Sequence, residues 1–309
     1  MIIRLLEKLI AEGRSVMRFA CFNLRRGAPL ALCFLSGVAA ANPTTVDLWR
    51  DMGLSASLLG GGTAHVSDSS ASDRNPAGIV RGQVYAATGE LGWTGQKSRQ
   101  TEFAVCDPTR AYSELIACVK VRQTQKITGA TDRRYTLALA DVFTGGLILG
   151  LAGDYVEFAQ ERKPFAISAP AKSGFRLRGG FIYALQEGIS LGLRSDGLFD
   201  ATNTPRNHAA GVSAQIGRHF LINGDLFFDA DAMREALVGV SVLPRDFLDF
   251  AVSYGYAPKD GYHRIGGGLV VRSQQARLSY TVVRSSVAPT QLFHTFGIGI
   301  FIAGEAGPG

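Results

Sequence analysis

From about residue 82 to residue 302 the chain changes character at nearly every step. Apolar side chains take alternate positions, and polar or small ones fill the positions between. A period of two marks a β-strand with two different faces. In residues 175–185, Phe175, Leu177, Gly179, Phe181, Tyr183 and Leu185 share one face, while Arg176, Arg178, Gly180, Ile182 and Ala184 share the other. Gln186-Glu187-Gly188 then turns the chain, and Ile189, Leu191 and Leu193 alternate with Ser190, Gly192, Arg194 and Asp196. Further along, Leu248, Phe250, Val252, Tyr254 and Tyr256 oppose Asp249, Ala251 and Ser253. In the last such segment Phe296, Ile298, Ile300 and Ile302 oppose Thr295, Gly297 and Gly299.

Repeated along the chain, the pattern predicts strands centred near residues 88, 102, 120, 138, 151, 180, 194, 211, 224, 238, 252, 267, 280 and 297. Tight turns are expected near 143–145, 186–188, 217–218, 243–246 and 273–275, and longer connections near 159–173 and 200–206. Short turns at one end and longer loops at the other are the habit of an outer-membrane barrel, whose strand number is even in bacterial single-chain examples. The expectation is therefore an all-β fold, an antiparallel transmembrane β-barrel of about 14 strands. The segments beside Cys106 and Cys118 alternate least clearly. If they form an external hairpin, the count is 12.

A soluble β-sandwich or a water-soluble barrel is the competing fold. Two features weigh against it. The apolar face carries aromatics near strand ends (Trp93, Tyr155, Tyr183, Tyr254, Tyr256), as an interfacial girdle would. The opposite face carries Glu90, Asp154, Arg176, Arg178, Arg194, Asp225 and Asp249. A soluble core does not take seven charges inward, whereas a barrel with an apolar exterior and a polar lumen does. In addition, Thr295-x-Gly297-x-x-Ile300-x-Ile302 resembles the C-terminal strand pattern read by the outer-membrane assembly machinery. It departs from that pattern in ending on Ile rather than an aromatic residue and in carrying the tail 303–309.

Composition sharpens this picture. Of 309 residues 46% are hydrophobic and 37 are glycine, which excludes a disordered chain. The net charge of +6 is unevenly placed. Residues 1–41 hold six of the 32 basic residues and two of the 26 acidic ones, so the body is almost neutral and gives no argument for a nucleic-acid partner. Arg25 and Arg26 precede an apolar stretch ending Ala39-Ala40-Ala41-Asn42-Pro43, the layout of a signal peptide cut near Ala41. Met17 is an alternative start, and an uncleaved anchor is the alternative reading of the stretch. The expected compartment is the bacterial outer membrane. Export leaves Cys106 and Cys118, which should pair under oxidising conditions, the alternative being two buried free thiols.

Residues 42–81 do not alternate. They contain Gly60-Gly61-Gly62, His65, a polar run 67–73 and Asn75-Pro76-Ala77-Gly78-Ile79. Here the chain resembles the FadL-like outer-membrane transporters and their PorV-like relatives. In those families a glycine-rich stretch and a polar run lead into Asn-Pro-Ala-Gly just before the first strand. The resemblance implies that 42–81 forms an N-terminal hatch inside the lumen, with Asn75-Pro76 as a rigid turn and Gly78 letting the backbone pass close to the wall. It implies a hatch that shuts the pore and shifts to admit a hydrophobic solute. A surface linker is the plainer alternative for the segment. The chain is shorter than FadL proper and lacks its long outer loops, which puts fatty-acid capture in doubt. The expected domains are thus a signal peptide 1–41, a hatch 42–81, a barrel 82–302 and a tail 303–309.

Little else in the sequence carries chemistry. His65 lies near Asp68 and several serines, but a hydrogen-bonded hatch histidine is favoured over a Ser–His–Asp trio, and no Gly-x-Ser-x-Gly elbow occurs. No spacing suggests a metal site or a cofactor. His208, His263 and His294 fall on the lipid side. Arg176, Arg178 and Arg194 are expected either to bias the pore towards anions or, as the favoured reading, to pair with Asp154, Asp196, Glu90, Asp68 or Asp73. The expected function is passage of a hydrophobic or amphipathic small molecule and not catalysis. The alternative is a non-transporting barrel that serves an envelope assembly or secretion machine. Expected partners are outer-membrane lipid, the small molecule and, on the alternative reading, other envelope proteins.

Overall fold

The structure, a computed structural model, describes residues 62–66, 70–82, 85–94, 98–108, 116–126, 129–143, 145–158, 172–186, 188–200, 207–217, 219–229, 232–245, 247–259, 261–273, 275–286 and 292–302. The expected signal peptide 1–41, the hatch residues 42–61 with Gly60 and Gly61, Asp68, and the tail 303–309 lie outside the described residues.

Strand follows strand: β1 (Tyr85–Thr94), β2 (Arg99–Asp107), β3 (Ile116–Gln125), β4 (Thr131–Val142), β5 (Leu147–Phe158), β6 (Lys172–Gln186) and β7 (Ile189–Asp200). The second half is β8 (His208–Ile216), β9 (Phe220–Phe228), β10 (Met233–Arg245), β11 (Leu248–Ala257), β12 (Tyr262–Arg272), β13 (Ala276–Ser285) and β14 (Leu292–Ile302). Each pairs antiparallel with the next, and β14 pairs with β1, so the sheet closes and has no free edge. Every predicted strand centre falls within one of these elements. The count is 14, not 12, because both strands beside the cysteines belong to the wall. β2 pairs with β1 from Ala86–Cys106 to Trp93–Arg99, and β3 pairs with β4 along its whole length.

Alternation of burial follows alternation of chemistry. Outward side chains such as Phe103, Leu137, Val252 and Ile265 are exposed, Ile265 to 64%, while inward neighbours such as Ala104, Ala138 and Arg264 are buried. An exterior of so many exposed apolar side chains is unstable in water and suited to hydrocarbon. A closed sheet also satisfies every wall amide internally, as the bilayer requires. No helix among the described residues is long and apolar enough to cross a membrane; the strands do so.

The strand ends joined by the short turns after β4, β6, β8, β10 and β12 lie at one end, with the end of β2 and the start of β3. Glycines at positive φ, such as Gly188 at 82° and Gly217 at 61°, allow these tight reversals. The C-terminal ends of β5 and β7 and the N-terminal ends of β6 and β8, between which the sequence leaves longer connections, lie at the other end. β7 has a bulge near Gly197 (φ 76°), where its pairing with β6 slips. Its residue-by-residue register with β8 ends at Ser195–His208, with one further backbone bond from Asp196 N to Asn207 O at 2.8 Å.

Ahead of β1 come a one-turn helix, α1 (Ala71–Arg74), and a 3-10 helix, Pro76–Arg81. Asn75 separates them in an extended conformation, as a residue before proline prefers. Its side chain accepts from Ala77 N at 3.2 Å, and Pro76 opens the 3-10 turn where no amide is needed.

Candidate functional site

Residues 62–66 and 70–81, the described part of the expected hatch, lie against the inner wall. Four inward glycines on four successive strands make room for it: Gly150 (β5), Gly180 (β6), Gly192 (β7) and Gly211 (β8). Gly150 pairs directly with Gly180, and Gly192 with Gly211. A Cβ on Gly150 would overlap Ala77, one on Gly180 the Asn75 side chain, and one on Gly192 the Thr63 carbonyl. On Gly211 it would collide with the Asp225 carboxylate and lie 2.8 Å from Thr63 Cβ. These glycines form a flat seat for backbone to rest on. Gly78, expected to pass close to the wall, finds its nearest neighbours in Val66 of the hatch itself. The close approach to the wall falls to the wall's own glycines.

Asn75 ties the segment down. Its amide donates to Thr63 O at 2.6 Å within the hatch and to the wall carbonyls of Phe181 at 3.0 Å and Leu193 at 3.3 Å. Two arginines add to this hold. Arg178 donates to Asp73 O at 2.9 Å, and Arg194 donates to the carbonyls of Asp73 (3.1 Å) and Arg74 (3.2 Å). These are the orphan carbonyls at the end of α1, so the wall supplies the helix cap.

The Asp73 carboxylate is the electrostatic centre. Lys120 reaches it at 2.7 Å, Arg122 is hydrogen-bonded to it, and Arg178 stands 3.8 Å away. Glu102 completes the group, 2.6 Å from Lys120 and 2.7 Å from Arg122. Burial alone would raise the Asp73 carboxyl. The charges of Arg122, Lys120 and Arg178 outweigh it and hold the group well below the usual carboxylate range. Next to this group, Asp154 accepts from Arg178 at 2.7 Å and from Thr136 at 2.7 Å, with Arg176 3.4 Å away. Arg194 faces Asp196 at 3.2 Å. The three arginines are therefore paired or spent on hatch carbonyls. Glu90 lies half-buried on the inner face of β1, and Asp249 meets Arg272 at 3.0 Å near the short-turn end.

His65 accepts at Nδ1 from Arg81, 3.3 Å away, and the same guanidinium donates to Ala64 O (3.1 Å) and Ser190 Oγ (2.6 Å). A nitrogen that accepts from a cation carries no proton. Burial, and then the Arg81 charge, lower the imidazole from 6.5 to about 4. Cys106 and Cys118 stand directly opposite one another in the β2–β3 ladder and form a disulfide. The bridge faces inward and packs in one apolar cluster with Val66, Ala71 and Ile79 of the hatch.

On the other side of the lumen the inward face changes. Near the long-loop end Ala209, Phe227, Leu237, Ala257, Tyr262, Val283 and Phe293 all point inward and are buried. They lie on β8 through β14. Arg74 of the hatch sets its guanidinium 5.8 Å from the Phe227 ring centre, where the acidic Asp225 also stands near. An ion pair crosses this sector: Arg264 Nε to Glu235 at 2.7 Å, spanning β11 above Gly255, whose missing side chain leaves the space.

Sequence reasoning singled out Asp73 as a possible partner but not Lys120, Glu102 or Arg122, and it passed over the glycine seat. Alternation sets Glu102, Lys120 and Arg122 on the face opposite the apolar one, but does not bring them to Asp73. The seat had a weak signal, in that glycine interrupts the inner face of four successive strands at similar depth.

No family model matches the chain, and no curated protein matches it. Solved structures do. The CymD monoaromatic hydrocarbon channel superposes with a TM-score of 0.58 at 10% identity, covering 82% of this chain and 98% of that one. The Pseudomonas putida toluene transporter TodX gives 0.53 at 11% identity, covering 80% and 97%. A TodX deltaS2 mutant gives 0.55 at 11% identity, covering 81% and 98%. Identities this low speak for the fold alone. With the apolar exterior, that fold is a closed outer-membrane β-barrel of 14 strands.

Proposed function

We propose that the barrel passes a small hydrophobic or amphipathic molecule across the outer membrane, with the hatch segment as its gate. The observation that carries this reading is the inward apolar sector on β8–β14 at the long-loop end, bordered by Arg74 of the hatch. A lumen serving only as a sealed structural post would gain nothing from Phe227, Leu237 and Phe293 there, and a water-filled porin would line it with polar groups. The similar folds of the CymD monoaromatic hydrocarbon channel and the toluene transporter TodX are in keeping with it. The end of the β7–β8 ladder beside the Gly197 bulge is the place to look for a sideways exit.

Uptake of a monoaromatic probe such as toluene into cells whose outer membrane carries this barrel tests the reading. Expression should raise uptake severalfold over empty cells, and Leu237→Asp or Phe227→Asp should remove most of the gain. Uptake equal to that of empty cells would overturn it. The alternative, a closed barrel serving an envelope machine, draws on the density of ion pairs holding Asp73. It predicts stable co-purification with other envelope proteins and no uptake.

A further inference from the structure

The pair Glu235–Arg264 is out of keeping with its surroundings. Glu235 lies directly opposite Phe227 in the β9–β10 ladder, and Arg264 opposite Gly255 in the β11–β12 ladder. Along the same inward faces stand Leu237, Ala257 and Tyr262, all buried. Taking two charges out of water costs more than their attraction returns unless the geometry is excellent, and two hydrophobic side chains would fill the same space without loss. Stability therefore does not account for the pair.

The wall is shaped to hold it. A Cβ on Gly255 would lie 2.5 Å from Glu235 Oε1 and 3.0 Å from Arg264 Nε, so only glycine on β11 lets the two meet. Yet the contact is one of charge. Arg264 Nε stands 2.7 Å from Glu235 Oε1, but that oxygen accepts no aligned hydrogen bond, although the Glu235 side chain is only 1% exposed. Buried acceptors are nearly always met by a donor, and an unmet one is costly. What this acceptor lacks is an O–H or N–H arriving from the lumen side, between apolar and aromatic side chains.

We infer that Glu235 receives the hydroxyl of a phenol-like solute: a neutral aromatic molecule whose O–H donates to the carboxylate while its ring packs among Phe227, Leu237 and Tyr262. The inference rests on the passage reading above and narrows its solute to hydrogen-bond donors. Arg264 is a positioning residue, which holds the carboxylate over Gly255. A solute with its own carboxylate would meet Glu235 as a like charge, and a plain hydrocarbon would leave the acceptor unmet. A site built around a hydroxyl rejects the analogue without it far more strongly than an apolar pocket rejects a missing methylene. The bound ring would also touch Phe227, on which Arg74 of the hatch rests, so solute and hatch meet at one side chain.

Equilibrium dialysis of the detergent-solubilised barrel against labelled p-cresol, 4-methylanisole and toluene, corrected for uptake by empty micelles, tests the site. 4-Methylanisole keeps the oxygen of p-cresol but has no donor. The parent protein should bind p-cresol about tenfold more tightly than either of the others. Glu235→Leu/Arg264→Leu should bind p-cresol and 4-methylanisole alike. Asp249→Leu/Arg272→Leu, which removes the ion pair near the short-turn end, should keep the preference. Heat-dependent mobility in gel electrophoresis confirms that each variant is folded. Equal affinity of the parent for all three probes overturns the inference and leaves the passage reading standing, whereas binding of none of them overturns both. A preference that survives in Glu235→Leu/Arg264→Leu, or that is lost equally in Asp249→Leu/Arg272→Leu, also overturns the inference.

Discussion

Gly192 of β7 lies directly against the Thr63 carbonyl of the hatch, with no space for a methyl group between them. The wall has been shaved at this point to receive main chain, and its neighbour Gly211 faces the same residue.

Filling that seat should lift the hatch without breaking the wall. Gly192→Val keeps a good strand former in β7 but overlaps Thr63, an overpacking worth about 1–3 kcal/mol. The expected variant still shows heat-dependent gel mobility of a folded barrel, and its conductance in planar bilayers rises severalfold. Parental conductance would mean that the seat does not hold the hatch shut.

Asp73 is the only carboxylate that the described hatch residues bring to Lys120, Arg122 and Arg178. Removing one member of a buried ionic group leaves the others uncompensated, at about 3–5 kcal/mol. Glu102 remains beside Lys120 and Arg122, which places Asp73→Asn near the lower end, about 3 kcal/mol. Denaturant unfolding in detergent should show this loss. Asp73→Glu should recover part of it.

Acid should loosen the hatch through His65. Its imidazole is held at about 4 when seated and returns to its ordinary 6.5 once the segment is released to water. Between those values the released state binds more protons than the seated one. Seating is therefore fully stable above about pH 6.5 and weakens as the pH falls towards 4. Asp73, pulled below its ordinary range, stays ionised throughout this window. Protease cleavage within the hatch should be faster at pH 4.5 than at pH 7.5, and His65→Gln should flatten the difference.

The disulfide closes a chain separation of 12 residues, and cross-links over loops of this size contribute about 3 kcal/mol by restricting the unfolded chain. The double variant Cys106→Ala/Cys118→Ala should be less stable by about that amount, read from denaturant midpoints. It should still close as a barrel, because nine residue pairs hold β2 to β3. Failure to form the barrel at all would show that the bridge directs assembly.

Strand position and the sidedness of each side chain were legible in the sequence, because the pleat is local and each residue's face follows from its neighbours, while the choice between 14 and 12 strands waited on the pairing of β2 and β3. The Arg176, Arg178 and Arg194 side was readable as inward for that reason. Which acid each arginine meets was not. Arg178 lies 105 residues from Asp73, and only barrel closure sets the two at one depth. The same holds for Lys120 and Asp73, 47 residues apart.

The chain alone thus determined a membrane barrel with an apolar exterior and a charged interior, since alternation is written residue by residue. Of Gly192 it showed only a glycine on an inner face, one among many. Tertiary structure decided that Gly150, Gly180, Gly192 and Gly211 line up under Thr63–Ala77. That alignment depends on the register between strands, a property of the closed sheet that no single strand contains.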